Sequence, residues 1–321
     1  MSETTRGLAL AMLAFALAHP LAAQEAGMSE SIDSAASGYY LPSVRAAFGT
    51  FTYEYSDLPT PFSRWVEDRF LLAAAGSRRV QILNRNAAAA LDPLLKASYG
   101  QFLQETGAEA LLSGRFFVEG DSVRVRFELT ELSSGTLIGA GDWFVSLAAV
   151  PPYASVRPAS GTTERAGELA HLSGYAPGGL KVSVSTDRGS GAAYKAGEYL
   201  SALVGVTRDA FVRVYHVDGA GRIQLIWPNR FGGGDGMVRE GTVVRLPPDG
   251  DAPYSFLMEP PFGTEFLKVV ASTAPFLDGQ SDFSDLGTSV QGTMTRGLAV
   301  TGAGSTKTEV AEAMASYYIG P

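Results

Sequence analysis

Cysteine is absent from the 321 residues. That excludes disulfides, thiolate nucleophiles and cysteine-based zinc or iron–sulfur sites. It also removes the residue to which bacterial lipoproteins attach their lipid. Histidine is scarce: beyond the N-terminal segment only His171 and His216 remain, too few and too far apart for a histidine-built metal centre. Positive charge is in deficit, with a net charge of −8, whereas a nucleic-acid binder needs a basic face. The basic clusters are "SRR" at 77–79 and the alternating Arg124 and Arg126, which read as solvated faces. Long apolar runs are missing too. The run from Gly7 to Ala18 falls short of the roughly 20 residues that a membrane-spanning helix needs.

What remains is a chain built to pack. Hydrophobic residues make up 45% and aromatics 10%, in the range of globular proteins rather than disordered ones. The 37 glycines and 17 prolines suit many short strands joined by turns. The length allows two ordinary domains.

Residues 1–23 read MSETTRGLALAMLAFALAHPLAA. Arg6, the apolar run, the helix-breaking Pro20 and the small Ala22 and Ala23 have the layout of a secretory signal peptide cleaved after Ala23. Its removal takes one Glu and one Arg, so the charge stays at −8. The expectation is an exported chain, placed in the periplasm or at the inner face of the outer membrane, with no transmembrane segment in its mature form.

The stretch 46–150 predicts an α+β domain. "FGTFTYEYS" (48–56) alternates as a strand. Thr60 and Pro61 mark a helix start; Phe62, Trp65, Val66, Phe70 and Ala73 give its buried face, and Gly76 closes it. "VQILNR" (80–85) is a second strand, and Asp92-Pro93 opens a second helix with Leu95, Tyr99 and Phe102 on its buried face, ending at Gly107. Three strands follow, turning at Gly120-Asp121 and at "SSG" (133–135). In the middle strand Val123, Val125, Phe127 and Leu129 share one face and Arg124, Arg126, Glu128 and Thr130 the other. The order β-α-β-α-β-β-β makes a mixed sheet with helices on one side. The run "GAEALLSGRFF…VRVRFELTELSSGTLIGAG", with Gly107-Ala108, Gly114 and Ser134-Gly135 at its turns, resembles the domain of FlgO-type flagellar outer-membrane proteins, and similar layouts occur in the curli secretion protein CsgG and the N-terminal domain of TolB. The resemblance covers about 100 residues and implies an envelope protein.

Residues 151–180, rich in Pro, Ala, Gly and Ser, read as a linker with a short helix near 164–172. From 181 to 321 the texture is mainly β and predicts a sandwich. "AFVRVYHVD" places Phe211, Arg213, Tyr215 and Val217 on one side; Gly219-Ala220-Gly221 turns the hairpin; and "RIQLIWPNR" (222–230) returns with Ile223, Leu225 and Trp227 on a common face until Pro228 ends the pairing. "YKAGEYLSALVGVTRDAFVRVYHVDGAGRIQLIWPN", "REGTVVRLPP" and "EPPFGTEFLKVVAS" together resemble a bacterial family named only as domain of unknown function 4384. That family carries no established activity.

Catalytic patterns are thin. His216 sits in a strand, where a lone histidine is structural far more often than catalytic. Asp218 lies too close in sequence to orient it as a triad partner, and no Gly-x-Ser-x-Gly elbow occurs. "GSGAAY" (189–194) and "GGGDG" (232–236) lack the context of a phosphate loop. "DGDAP" (249–253) offers calcium one short acidic turn. Glu259 and Glu265 flank "PPFGT" and read as turn residues rather than a glycosidase pair. No residue is assigned to catalysis, a cofactor or a metal.

The sequence therefore predicts a non-enzymatic exported envelope protein engaged in protein–protein assembly or scaffolding. Its setting would be flagellar or secretion-associated, its partners envelope or flagellar proteins or further copies of itself, and not nucleic acid. Arg222, Trp227, Asn229 and Arg230 form the candidate interaction surface if the indole is exposed; packed inward, it belongs to the core instead. Two rivals stand beside this. One is a small-ligand or cell-wall glycan binding module using Tyr215, Trp227, Tyr254 and Phe262. The other is an unrecognised hydrolase built on His216.

Overall fold

Alternating apolar residues build the first sheet, and its leading strand begins earlier than the sequence pattern suggests. A computed structural model describes residues 27–86, 94–95, 106–170, 179–277, 279–280, 282–288, 294 and 308–321. The leader 1–23, the helix signalled by Asp92-Pro93, and His171 lie outside the described residues, save for Leu95 at the helix's predicted buried face. Strands β1 (Val44–Tyr53), β2 (Val80–Asn86), β3 (Ala110–Glu119), β4 (Ser122–Glu131) and β5 (Leu137–Ser146) form one mixed sheet in the order β2-β1-β3-β4-β5. β1 runs parallel to both β2 and β3, and the remaining pairs are antiparallel.

Two helices cover one face. α1 spans 27–35 and buries Met28 and Ile32; no signal in the sequence reading had anticipated it. α2 (Pro61–Ala75) begins at Thr60, whose side chain accepts from the Phe62 amide at 3.2 Å while the Thr60 amide donates to Ser63 Oγ at 3.0 Å. These reciprocal bonds satisfy two amides that a helix start otherwise leaves bare. Phe62, Trp65, Val66 and Phe70 then pack against Phe51, Phe116, Phe127 and Trp143. On β4, Val123, Val125, Phe127 and Leu129 enter this core as predicted. Asp33 ties α1 to the next turn: its Oδ1 accepts from Ser77 Oγ at 2.5 Å and from the Arg78 and Arg79 amides at 3.0 and 3.1 Å.

The second half is a sandwich. Its large sheet contains β7 (Ala192–Lys195), β10 (Ala210–Val217), β11 (Ile223–Trp227), β15 (Gly263–Ser272) and β16 (Val310–Gly320), in the order β11-β10-β15-β16-β7, with β12 (Met237–Val238) added to β10. Facing it are β6 (Val182–Thr186), β9 (Ala202–Val206) and β13 (Val243–Leu246); β8 (Tyr199–Leu200) and β14 (Phe256–Leu257) pair separately. Val184, Val204 and Leu246 meet Val212, Val214, Leu267 and Val269 between the sheets. The outer face of the large sheet is covered as well. Leu169, from helix α3 (Thr162–Ala170), joins Tyr215, Val217, Ile223, Leu225, Phe266 and Val270 there. With both faces covered, β15 is buried nearly throughout, its polar Thr264, Glu265, Lys268 and Ser272 included.

One expectation fails at β11. Ile223 and Leu225 face the outer core, whereas Trp227 joins Ile226 in the inner one. The pairing slips between Val214↔Trp227 and Tyr215↔Leu225; a β-bulge at this step turns the strand, so the two-residue alternation is lost. β11 is also the terminal strand of its sheet, and residues 282–287 cover it: the Phe283 amide donates to Leu225 O at 2.9 Å, the Leu286 amide to Ile223 O at 2.9 Å, and the Ile223 amide to Gly287 O at 3.0 Å. Close to the C-terminal end of the sequence, β16 lies inside the large sheet, between β15 and β7.

The two halves touch directly. Thr264 Oγ1 donates to Pro59 O at 3.0 Å and Ser316 Oγ to Asp57 O at 2.7 Å. Leu203 of β9 packs with Ala47, Leu95 and Leu111 on the face of the first sheet opposite α1 and α2.

Candidate functional site

Period-two geometry on β15 sends Glu265, Leu267, Val269 and Ala271 toward the same side. The last three fill the sandwich core, and Glu265 follows them at the end of the strand, only 6% exposed. Glu265 is therefore a strand residue and not the turn residue expected from "PPFGT"; Glu259, the other carboxylate of that pair, is exposed. Directly across the ladder stands Tyr317 of β16, and diagonally across stands His216 of β10. Both reach one oxygen. Tyr317 Oη donates to Glu265 Oε2 at 2.8 Å, and His216 Nε2 lies 2.8 Å from the same atom. An ionised carboxylate only accepts, so His216 presents Nε2–H to it. Burial, reinforced by the Glu265 charge, pushes the Tyr317 phenol well above its ordinary pKa, so it stays a donor.

This trio lies at the base of a cleft of about 620 Å³ between the β10–β11 hairpin and residues 253–261. Asp218 and Arg222 stand at the hairpin end. Arg222 Nε donates to Asp218 Oδ2 at 2.7 Å, and the Ala220 and Arg222 amides donate to Oδ1 at 2.9 Å each. Burial works against the Asp218 charge, but these bonds outweigh it and hold the carboxyl below its usual pKa. The opposite wall is aromatic. Phe231 lies 5.7 Å from Tyr254 and 6.2 Å from Phe283, and Tyr254 lies 5.5 Å from Phe256. Ser255 also lines the cleft, yet no hydrogen bond joins it to His216 among the described residues, so His216 has a carboxylate partner without a nucleophile.

The four residues of the candidate surface separate. Trp227 is 6% exposed and packs inward. Asn229 shapes the turn, its Nδ2 donating to Ile226 O at 2.7 Å and its Oδ1 accepting from the Phe231 amide at 2.9 Å. Arg230 forms a two-pronged pair with Asp282, Nε to Oδ2 at 3.0 Å and Nη2 to Oδ1 at 3.1 Å. Arg222 reaches the cleft. Among the proposed aromatic strand ends, Tyr215 is buried with its hydroxyl on Gln280 Oε1 at 2.9 Å, Phe262 is exposed, and Tyr254 lines the cleft. Asp249 of the acidic turn pairs with Arg245 at 3.1 Å, and both glycine-rich stretches are turns leading into strands. Sequence reasoning missed Glu265 and Tyr317. The available signal was a charged residue in phase with the core positions of "TEFLKVVA".

With this geometry in view, comparison with known proteins bears on the second half. Residues 193–275 match the family described as Domain of unknown function (DUF4384). The matched segment carries His216, Asp218, Arg222 and Glu265, while Tyr317 lies beyond it. No curated protein matches the chain. Among solved structures, the LpoB C-terminal domain from Salmonella enterica is 10% identical, over 37% of this chain and 98% of that one, with a TM-score of 0.26. The LpoB C-terminal domain from Escherichia coli is 16% identical, over 38% and 95%, with a TM-score of 0.27. TolB from Acinetobacter baumannii is 12% identical, over 71% and 57%, with a TM-score of 0.20.

Proposed function

We propose that this chain is an exported, non-enzymatic protein of the bacterial cell envelope that works by binding other proteins, and that the cleft over Glu265 is where it grips a partner. The observation that supports this most is the state of the cleft's polar floor. His216 and Tyr317 both point at Glu265 Oε2, an arrangement that fixes a carboxylate in place rather than activating an attacking group. An open hollow with aromatic walls and a few fixed polar groups is the usual form of a binding site. Export rests on the leader-like residues 1–23. Among the described residues, no helix is long and apolar enough to cross a membrane. A flagellar or secretion-associated setting, as the FlgO-like and CsgG-like resemblance implies, belongs to the same proposal.

The test is crosslinking of a tagged chain in intact cells, followed by envelope fractionation and identification of the attached proteins. Envelope proteins captured by the parent and lost in Arg222→Glu support the proposal. A chain confined to the cytosol, or capture indifferent to changes around the cleft, overturns it.

A further inference from the structure

The cleft also has a sign. Asp218, Glu259 and Glu265 line it against the single guanidinium of Arg222, and Arg222 is already committed to Asp218 at 2.7 Å. The fixed cation that senses the Glu265 charge is that same Arg222, bonded to Asp218 rather than to Glu265, and His216 stands at hydrogen-bond distance. Glu265 Oε2 takes both hydrogen bonds, while Oε1 makes none within the described residues, although the residue is only 6% exposed. That oxygen is open to the cleft, where a counter-charge or a further donor can reach it.

The walls suit a cation. Phe231, Tyr254 and Phe283 cluster within 6.2 Å of one another beside the floor, and aromatic faces attract ammonium and guanidinium groups. The rim is wider than a lone amine requires. Phe231 (49% exposed), Leu257 (39%) and Phe262 (45%) continue the apolar surface outward along the 253–262 segment. Such a strip fits the stem of a long side chain and the backbone on either side of it.

We infer that the cleft receives a lysine or arginine side chain from an extended segment of a partner protein, with the cationic head at Glu265 Oε1 and the stem against Phe231 and Tyr254. This rests on the binding function proposed above and adds the chemistry of the partner. The charge balance disfavours an acidic segment, and the bare carboxylate oxygen in an aromatic wall favours a cation over the neutral hydroxyls of a glycan.

The experiment titrates the full chain with three probes by calorimetry: blocked tetralysine, blocked tetraglutamate and chitotetraose. Tetralysine binds, tetraglutamate does not, and added salt weakens the binding. Glu265→Gln, which keeps an acceptor for Tyr317, reduces affinity about tenfold. Glu259→Lys, at an exposed position, reduces it in the same direction. Binding of chitotetraose in place of tetralysine overturns the cation assignment while leaving a binding cleft. Equal binding of tetraglutamate, indifference to both substitutions, or no binding of any probe also overturns it. The binding function fails separately, if in-cell capture of partners ignores Arg222→Glu.

Discussion

Lys268 and Glu312 meet at 2.7 Å on the outer face of the large sheet, with the lysine entirely buried. Its ammonium also donates to Leu169 O, next to the last residue of α3, where a helix presents bare carbonyls and its negative end. The short helix expected within the 151–180 linker is thereby joined to the sandwich by one cation. Burial lowers the Lys268 pKa, and Glu312 opposes that shift. Replacing Glu312 with Gln strands a buried charge and costs about 3 kcal/mol, whereas the double change Lys268→Met with Glu312→Leu recovers most of it. Denaturant midpoints of the two variants decide this. A Glu312→Gln variant within about 0.5 kcal/mol of the parent means that water already screens the pair.

Glu67 of α2 makes stability depend on pH. Its Oε1 is sealed from solvent without a hydrogen-bond partner, and burial raises its pKa from 4.5 to about 8, against a weaker opposing bond from the Phe51 backbone. The folded state keeps the proton over a range where the unfolded chain has lost it, so folding is favoured at low pH. That advantage is whole below about pH 4.5 and gone above about pH 8. Glu67→Gln should flatten this slope and raise the melting temperature at pH 8.5, with a gain on the order of 2 kcal/mol. An unchanged slope in Glu67→Gln would assign the pH dependence to other groups.

Gly114 is fixed by what surrounds it. A Cβ there would lie 2.5 Å from Arg126 O and 2.5 Å from Phe51 Cε1. Gly114→Ala is expected to cost about 1–3 kcal/mol through overpacking. Adding Phe51→Leu does not restore the loss, because the carbonyl cannot yield. Thermal melts of the single and double variants read this out, and a neutral Gly114→Ala would mean that β3 and β4 separate easily.

Thr60→Ala removes the cap of α2 at a buried position and should cost about 1 kcal/mol, with Thr60→Ser close to neutral. Chemical denaturation of the pair distinguishes loss of the hydroxyl from loss of the methyl group. Equal effects would show that packing, not the cap, carries Thr60.

Where one face of an element packs and the other meets water, the sequence could be read directly. Thr60-Pro61, the helical spacing of Phe62 to Ala73 and the alternation of Val123 to Leu129 all correspond to observed structure. The reading failed where burial is two-sided or where the ladder slips. β15 lies in two cores, so Lys268 and Glu265 look like ordinary polar residues of an alternating strand until their neighbours are known. Trp227 follows Leu225 by two positions yet lands in the opposite core, because no local residue pattern announced the bulge. The cleft was less legible still. Its floor joins β10, β15 and β16, with Tyr317 101 residues from His216, and only the sheet order makes neighbours of them.

The strap of residues 282–287 over β11 has a consequence for life at high concentration. A bare terminal strand offers unpaired amides and carbonyls on which another chain can lie, and such stacking propagates. Here the same chain occupies those groups first. A proteolytic nick that freed the strap would uncover them and open β11 to pairing with another chain.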